Sequence, residues 1–176
     1  MEFRLFFCIL IAMFNSFILE KFAQVDFDLY YELVRDEHVM AMITERVIPL
    51  EEAKSDFEKI VQNTALHPSF GYFKIIARED GRFVGLAKLE IETPDSWNAE
   101  LGYMLLPAYW GMGIGSTVAR QLIEIAKLHV QLHKLTAIID PSNIASRKIL
   151  INNGFVSQGF RNFDGLPGEV LTMDIS

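Results

Sequence analysis

Apolar positions recur along the chain at two spacings, alternate and helical, and the changes between them mark out its elements. Phe17 to Phe22 reads as a first strand. Asp26 then stands where an N-cap would, ahead of Phe27, Tyr30, Tyr31, Leu33 and Val34 at helical spacing. Pro49 is placed for a first helical position, with Glu51 and Glu52 in the first turn. Leu50, Ala53, Phe57, Ile60 and Val61 recur on one face of this second helix. Tyr72 to Ala77 and Phe83 to Ile91 predict a hairpin about Glu79-Asp80-Gly81. The loop Thr93-Pro94-Asp95-Ser96 leads into the strand that carries Glu100 and ends at Pro107. Val118, Leu122, Ile125 and Ala126 predict a helix ending near Leu132, and the apolar run Leu135 to Ile139 predicts a strand buried on both faces. Asp140-Pro141-Ser142-Asn143 caps a further helix, which Asn153-Gly154 closes. Phe155 to Phe163 and Glu169 to Ile175 form a last hairpin whose turn holds Asp164-Gly165 and Pro167-Gly168. Strand, helix, strand at the middle of the chain predicts a parallel crossover. The fold class is therefore α/β, a mixed α+β sheet with about four helices, in one domain over residues 1–176.

The stretch Glu100 to Ser116, E-L-G-Y-M-L-L-P-A-Y-W-G-M-G-I-G-S, carries more than structure. A strand runs into a glycine-dense turn, and a helix opens directly from it. A helix start leaves N–H groups unpaired and carries partial positive charge, so it can hold an anion. Alternating glycines let a ligand approach main-chain amides with no Cβ in the way. Two phosphate motifs fit poorly. The P-loop needs a Lys and Ser/Thr after its second glycine, and no Lys is present. The dinucleotide fingerprint needs G-x-G-x-x-G, whereas the spacing here is G-x-G-x-G, and only a helix and a hairpin remain after the next strand.

Composition narrows the setting. With 51% apolar and 22% charged residues among 176, the chain is expected to fold rather than to remain disordered. A formal net charge of −7 argues against a nucleic-acid partner and is compatible with a cationic substrate. The single cysteine, Cys8, excludes an internal disulfide and offers no metal cluster; a reducing, cytoplasmic compartment is the simplest fit. Leu5 to Phe14 is an unbroken apolar run, short of the roughly 20 residues of a membrane span. It suits a signal peptide's apolar region, yet with Glu2 and Arg4 the leading segment has almost no net positive charge and no convincing small-x-small cleavage site follows. A signal or anchor, a buried N-terminal strand, and residues upstream of a start at Met13 are the three readings, with residues 1–13 set apart as an extra segment. A membrane partner is otherwise not expected.

Leu101 to Ser116 resembles the acetyl-coenzyme-A motif of the GNAT acetyltransferase superfamily, Q/R-x-x-G-x-G/A, with Trp110 at the first position and Gly113 and Gly115 at the two small ones. A second block, Asn143-Ile144-Ala145-Ser146, Leu150 and Asn153-Gly154-Phe155, is similar to the N-x-A-S…L…G-F pattern of the branch that includes the ribosomal-protein-alanine N-acetyltransferases. The resemblance implies a twisted, mostly antiparallel sheet whose parallel fourth and fifth strands splay apart around acetyl-coenzyme A. It implies main-chain pairing of Met104, Leu105 and Leu106 with the pantetheine arm, and amides of Gly111, Met112, Gly113, Ile114, Gly115 and Ser116 around the pyrophosphate. It also implies a side-chain contact from Asn143. Trp110 departs from the Gln/Arg consensus, which removes a charged contact.

The activity so implied is acetyl transfer from acetyl-CoA to a primary amine by direct attack, the acceptor being a small-molecule amine or a protein N-terminus. The chemistry needs alignment, a neutral amine, and stabilisation of charge on the thioester oxygen and sulfur. A lysine-like amine of pKa ~10.4 is only about one part in 2,500 neutral at pH 7, a cost of roughly 4.6 kcal/mol; an α-amine near ~7.8 costs about 1.2 kcal/mol. Glu100 is the candidate base, acting through a water; pairing within the strand is its structural alternative. The position at which many family members carry a donor Tyr is Leu150, so Ser146, one turn earlier, is the candidate partner of the sulfur. Helix capping explains Ser146 equally well. Tyr103 reads as a packed strand aromatic. His129 and His133, four apart, lack a third ligand and the Glu of a zincin, so no metal is expected. Arg35, Glu37 and His38 would line the acceptor pocket if it adjoins the first two helices, with Asp26 and Asp28 drawing in a cation. A coenzyme-A-binding module without efficient catalysis, and a membrane-tethered enzyme anchored by Leu5 to Phe14, are the rivals. Oligomeric state stays open, a homodimer included.

Overall fold

The computed structural model describes residues 16–176, so the apolar run Leu5 to Phe14 lies outside the described residues. Among the described residues seven strands form one sheet in the order β1-β2-β3-β4-β5-β7-β6. They are β1 (Phe17–Lys21), β2 (Gly71–Ala77), β3 (Phe83–Glu90), β4 (Asn98–Leu105), β5 (Lys134–Ile139), β6 (Val156–Phe163) and β7 (Leu166–Asp174). The described helices are α1 (Phe27–Val34), α2 (Glu37–Met40), α3 (Leu50–Ala65), α4 (Ile114–Lys127) and α5 (Ile144–Asn152). Every strand pair is antiparallel except β4–β5, as the crossover spacing requires.

Alternation along the strands divides the core between the two sheet faces. Leu89, Leu101 and Leu135 pack with Val118, Leu122 and Ala126 of α4 and with Leu150 of α5. Leu86, with Tyr72 and Met104 at its margin, packs with Tyr30, Leu33 and Val34 of α1, Val39 and Met40 of α2, and Phe57 of α3. Phe57 anchors that second cluster through ring contacts to Phe22, Phe27 and Tyr30, at centroid distances of 5.8, 5.6 and 5.3 Å.

Several local expectations change. Asp26 closes a short 3-10 turn: its carboxylate accepts from the Ala23 N–H at 2.8 Å and pairs with Lys74 at 3.0 Å. It caps no α1 amide by its side chain and is not free to draw in a substrate. Pro49 is the N-cap of α3 rather than its first helical residue. Helix α2, absent from the sequence reading, starts at a side-chain cap: Asp36 accepts from the His38 and Val39 N–H groups. Pro167 and Gly168 lie within β7, so Asp164-Gly165 alone makes the last turn. Helix α4 stops at Lys127, which leaves His129 off it, and His129 packs against Phe70 and His67 instead of joining His133. Strand β5 is not buried on both faces: Leu135 and Ala137 are buried, but Ile138 is exposed where the strand leaves β4.

Candidate active site

The parallel pairing of β4 with β5 lasts for three residue pairs, Asn98–Lys134, Ala99–Leu135 and Glu100–Thr136. Beyond these, β4 stays on β3 as far as Leu105, and β5 stays on β7 as far as Ile139. The strands therefore diverge with unpaired main chain on their facing edges. Leu106 donates its N–H to the Val84 carbonyl at 2.9 Å. By the alternation of an antiparallel ladder, Met104 and Leu106 turn their main-chain groups to β3, and Leu101, Tyr103 and Leu105 turn theirs to the gap. Of the three main-chain positions expected at the gap, Leu105 is the one that faces it. Its carbonyl accepts the indole N–H of Trp110 at 2.8 Å, so the residue that departs from the motif fixes the turn to the strand.

That turn opens onto α4. Gly111 and Gly113 sit at φ +73° and +76°, where a Cβ is strained, and no other atom lies within 4 Å of the Cβ position at either. Gly113 is the N-cap, and among the described residues no side chain caps the N–H groups of Ile114, Gly115 and Ser116 behind it. Met112 is exposed beside them and Ile114 is buried. Gly115 is small for another reason: a Cβ there would meet the Tyr103 ring at 3.1 Å and Ile149 at 3.2 Å. Asn143 caps α5 by accepting from the Ser146 N–H at 3.1 Å, which leaves its amide NH2 as a donor.

A cavity of about 460 Å³ joins the gap to the sheet face under α1–α3. Leu101, Gly102, Tyr103, Asn143, Ser146 and Leu150 line the gap end. The Tyr103 hydroxyl is buried and makes no hydrogen bond of sound geometry among the described residues. Burial pushes its pKa up, and the neighbouring Ser146 hydroxyl works in the opposite direction. Sequence reasoning passed over this group because strand alternation says which way a side chain points, not what its tip meets.

At the other end, Lys88 on β3 links Glu100 on β4 (2.6 Å) with Glu90 (3.4 Å), and the Tyr72 hydroxyl donates to Glu90 at 2.7 Å. Burial first, then the Glu90 bond, raises the Tyr72 pKa. Burial, with the carboxylates of Asp56 and Glu52 behind it, pushes Tyr30 up to about 12, so both phenols stay protonated at neutral pH. Glu100 thus lines the cavity but is held by a cross-strand lysine. Arg35, Glu37 and His38 do not line the cavity; Tyr30, Val34 and Met40 supply the α1–α2 wall. Among the described residues no group of three or more His, Cys, Asp or Glu is arranged to hold a metal ion, and no helix is long and apolar enough to cross a membrane.

A mixed sheet splayed at its one parallel pair, beside a helix start with uncapped amides, defines the acyl-CoA N-acyltransferase class of fold. The model of the acetyltransferase (GNAT) domain matches residues 16–156. An uncharacterized N-acetyltransferase, p20, of Bacillus licheniformis is 25% identical over 66% of this chain and 66% of its own length. A second, YnaD of Bacillus subtilis, is 26% identical over 81% of each chain. The solved structure of RimL, a ribosomal L7/L12 alpha-N-protein acetyltransferase in complex with coenzyme A, superposes with a TM-score of 0.75, covering 92% of this chain and 95% of that one at 15% identity; at that identity the likeness concerns the fold. The chain belongs to the GNAT acetyltransferase family. It is accordingly an acetyl-CoA-dependent N-acetyltransferase, as the resemblance of its two sequence blocks implied.

Proposed function

We propose that this chain acetylates a primary amine by direct attack on the thioester of acetyl-CoA, with the donor in the β4–β5 gap and the acceptor in the chamber under α1–α3. The observation that carries the reading is the end of β4–β5 pairing at Glu100–Thr136 beside the uncapped start of α4. The amides of Gly111 to Ser116 hold the pyrophosphate, and the gap-facing main chain of Tyr103 and Leu105 pairs with the pantetheine arm as a sheet edge pairs with a peptide. Asn143 adds its free amide NH2. Bound acetyl-CoA supplies an activated thioester carbonyl. Glu100, through a water, takes the proton that the amine gives up as the C–N bond forms and the C–S bond breaks. Tyr103 and Ser146 place hydroxyls where the departing sulfur gathers charge, which answers the missing donor at Leu150. The single cysteine of the sequence favours a reducing, cytoplasmic setting.

The acceptor is a small-molecule amine or a protein N-terminus, the latter being what RimL is described as acting on. Incubation with acetyl-CoA and an amine panel, followed by release of free thiol, tests the activity. Calorimetry with acetyl-CoA separates it from a binding module, which would bind the donor and release no amine-dependent thiol. The absence of both binding and release would overturn the whole assignment.

A further inference from the structure

We infer that the acceptor is a small amine with a single positive charge on an apolar body, an inference that rests on the acetyltransferase reading and narrows it. The charges at the acceptor end are few and already counted. Glu100 on the cavity wall and its cross-strand neighbour Glu90 share one lysine, Lys88, so this row keeps one uncompensated negative charge. Asp56, the other acid on the cavity wall among the described residues, is paired with Lys59 at 2.9 Å. One ammonium completes that balance, and further cations on the same substrate would find no carboxylate.

The rest of the wall excludes hydroxyl-rich and extended acceptors for a different reason. Tyr30, Val34, Met40, Ile48 and Ile60 form it, the first four almost fully buried. Of the hydroxyls on this side, Thr44 donates to the Arg46 carbonyl at 2.7 Å and Tyr72 to Glu90 at 2.7 Å, which leaves that of Tyr30 to meet a ligand. A sugar-like amine entering here would lose its water and gain few partners, whereas an alkyl or aryl body would lose nothing polar. The whole cavity, at about 460 Å³, falls in the size range of small-ligand sites, ~300–1,000 Å³.

Rates of thiol release with 2-phenylethylamine and leucinamide, compared with spermidine, kanamycin and a ten-residue peptide beginning with alanine, test the inference. The two apolar monoamines are expected to exceed the others at least tenfold in kcat/KM. A better rate with the polyamine, the aminoglycoside or the peptide overturns it while leaving the acetyltransferase reading intact. Met42→Asp, at an exposed position on the cavity rim, should raise KM for 2-phenylethylamine at least tenfold and leave acetyl-CoA affinity unchanged, with Met42→Leu restoring it. An unchanged KM in Met42→Asp counts against the apolar chamber. Should no amine release thiol, the activity itself fails, and calorimetry of 2-phenylethylamine on the coenzyme-A-loaded protein reads the pocket alone: binding supports the inference and its absence overturns it.

Discussion

Replacing Tyr103 with phenylalanine removes one oxygen and leaves the ring on Gly115 in place, and the proposed mechanism predicts opposite signs for its two effects. In the free protein that hydroxyl is buried and has no hydrogen bond of sound geometry. A buried polar group without a partner costs roughly 1–3 kcal/mol, and Ser146 nearby offsets part of that, so the variant should be more stable by about 1 kcal/mol. For a chain of this length the melting midpoint rises by roughly 2–4 °C. During turnover the same hydroxyl donates to a sulfur that is gaining negative charge, and a hydrogen bond to a charged group contributes roughly 1.5–3 kcal/mol. Its loss should lower kcat about 10- to 150-fold, with little change in acetyl-CoA affinity. Burial raises the pKa of this phenol, so it remains a donor through neutral pH and the defect should persist across that range. Thermal unfolding, calorimetry with acetyl-CoA and steady-state thiol release measure the three quantities. A variant that is less stable and turns over normally would refute the reasoning, because it would make Tyr103 a packing residue whose hydroxyl is satisfied.

Three further substitutions probe separate parts of the site. Gly113→Val forces a β-branched residue into φ +76°, strain of roughly 1–3 kcal/mol at the amide cradle; acetyl-CoA binding should fall below detection by calorimetry, and normal binding would contradict the cradle. Glu100→Gln should slow turnover at least tenfold with unchanged acetyl-CoA affinity, the effect being larger for an alkylamine than for an α-amine because only the former needs a strong base. Arg147→Met leaves Glu169, only 1% exposed, without its 2.9 Å partner and should cost about 2 kcal/mol at neutral pH, less than a fully buried pair because the arginine is half exposed. Burial alone would raise the Glu169 pKa, but a Ser157 hydrogen bond and Arg147 together hold it below its ordinary 4.5. The stability linked to it is therefore present above pH ~4.5 and lost as pH falls, so the wild type and the variant should converge in acid unfolding curves.

How much of this was legible beforehand depends on the range over which each feature is determined. The strand–turn–helix from Glu100 to Ser116 was legible because its causes are local: glycines that permit left-handed φ, a proline that ends a strand, and a helix whose first amides need a partner. The parallel crossover followed from the lengths of neighbouring elements, and the family from two short blocks at the expected separation. Tertiary structure decided what depends on the partner across a strand. Whether the main chain of Leu105 or of Met104 meets the gap depends on the register of β4 on β3, and one residue of shift exchanges them. Glu100 read alone is a free carboxylate, and only the sheet brings Lys88 to it. Asp26 read alone is a cap, and only β2 brings Lys74 to it. Tyr103 showed the limit most plainly, since the burial of a hydroxyl and what lies beside it are properties of its surroundings. The glycine turn and the helix it opens were written into neighbouring residues; the charge pairing and the shape of the acceptor chamber arose only when distant strands and helices met, because electrostatics and packing act through space and not along the chain.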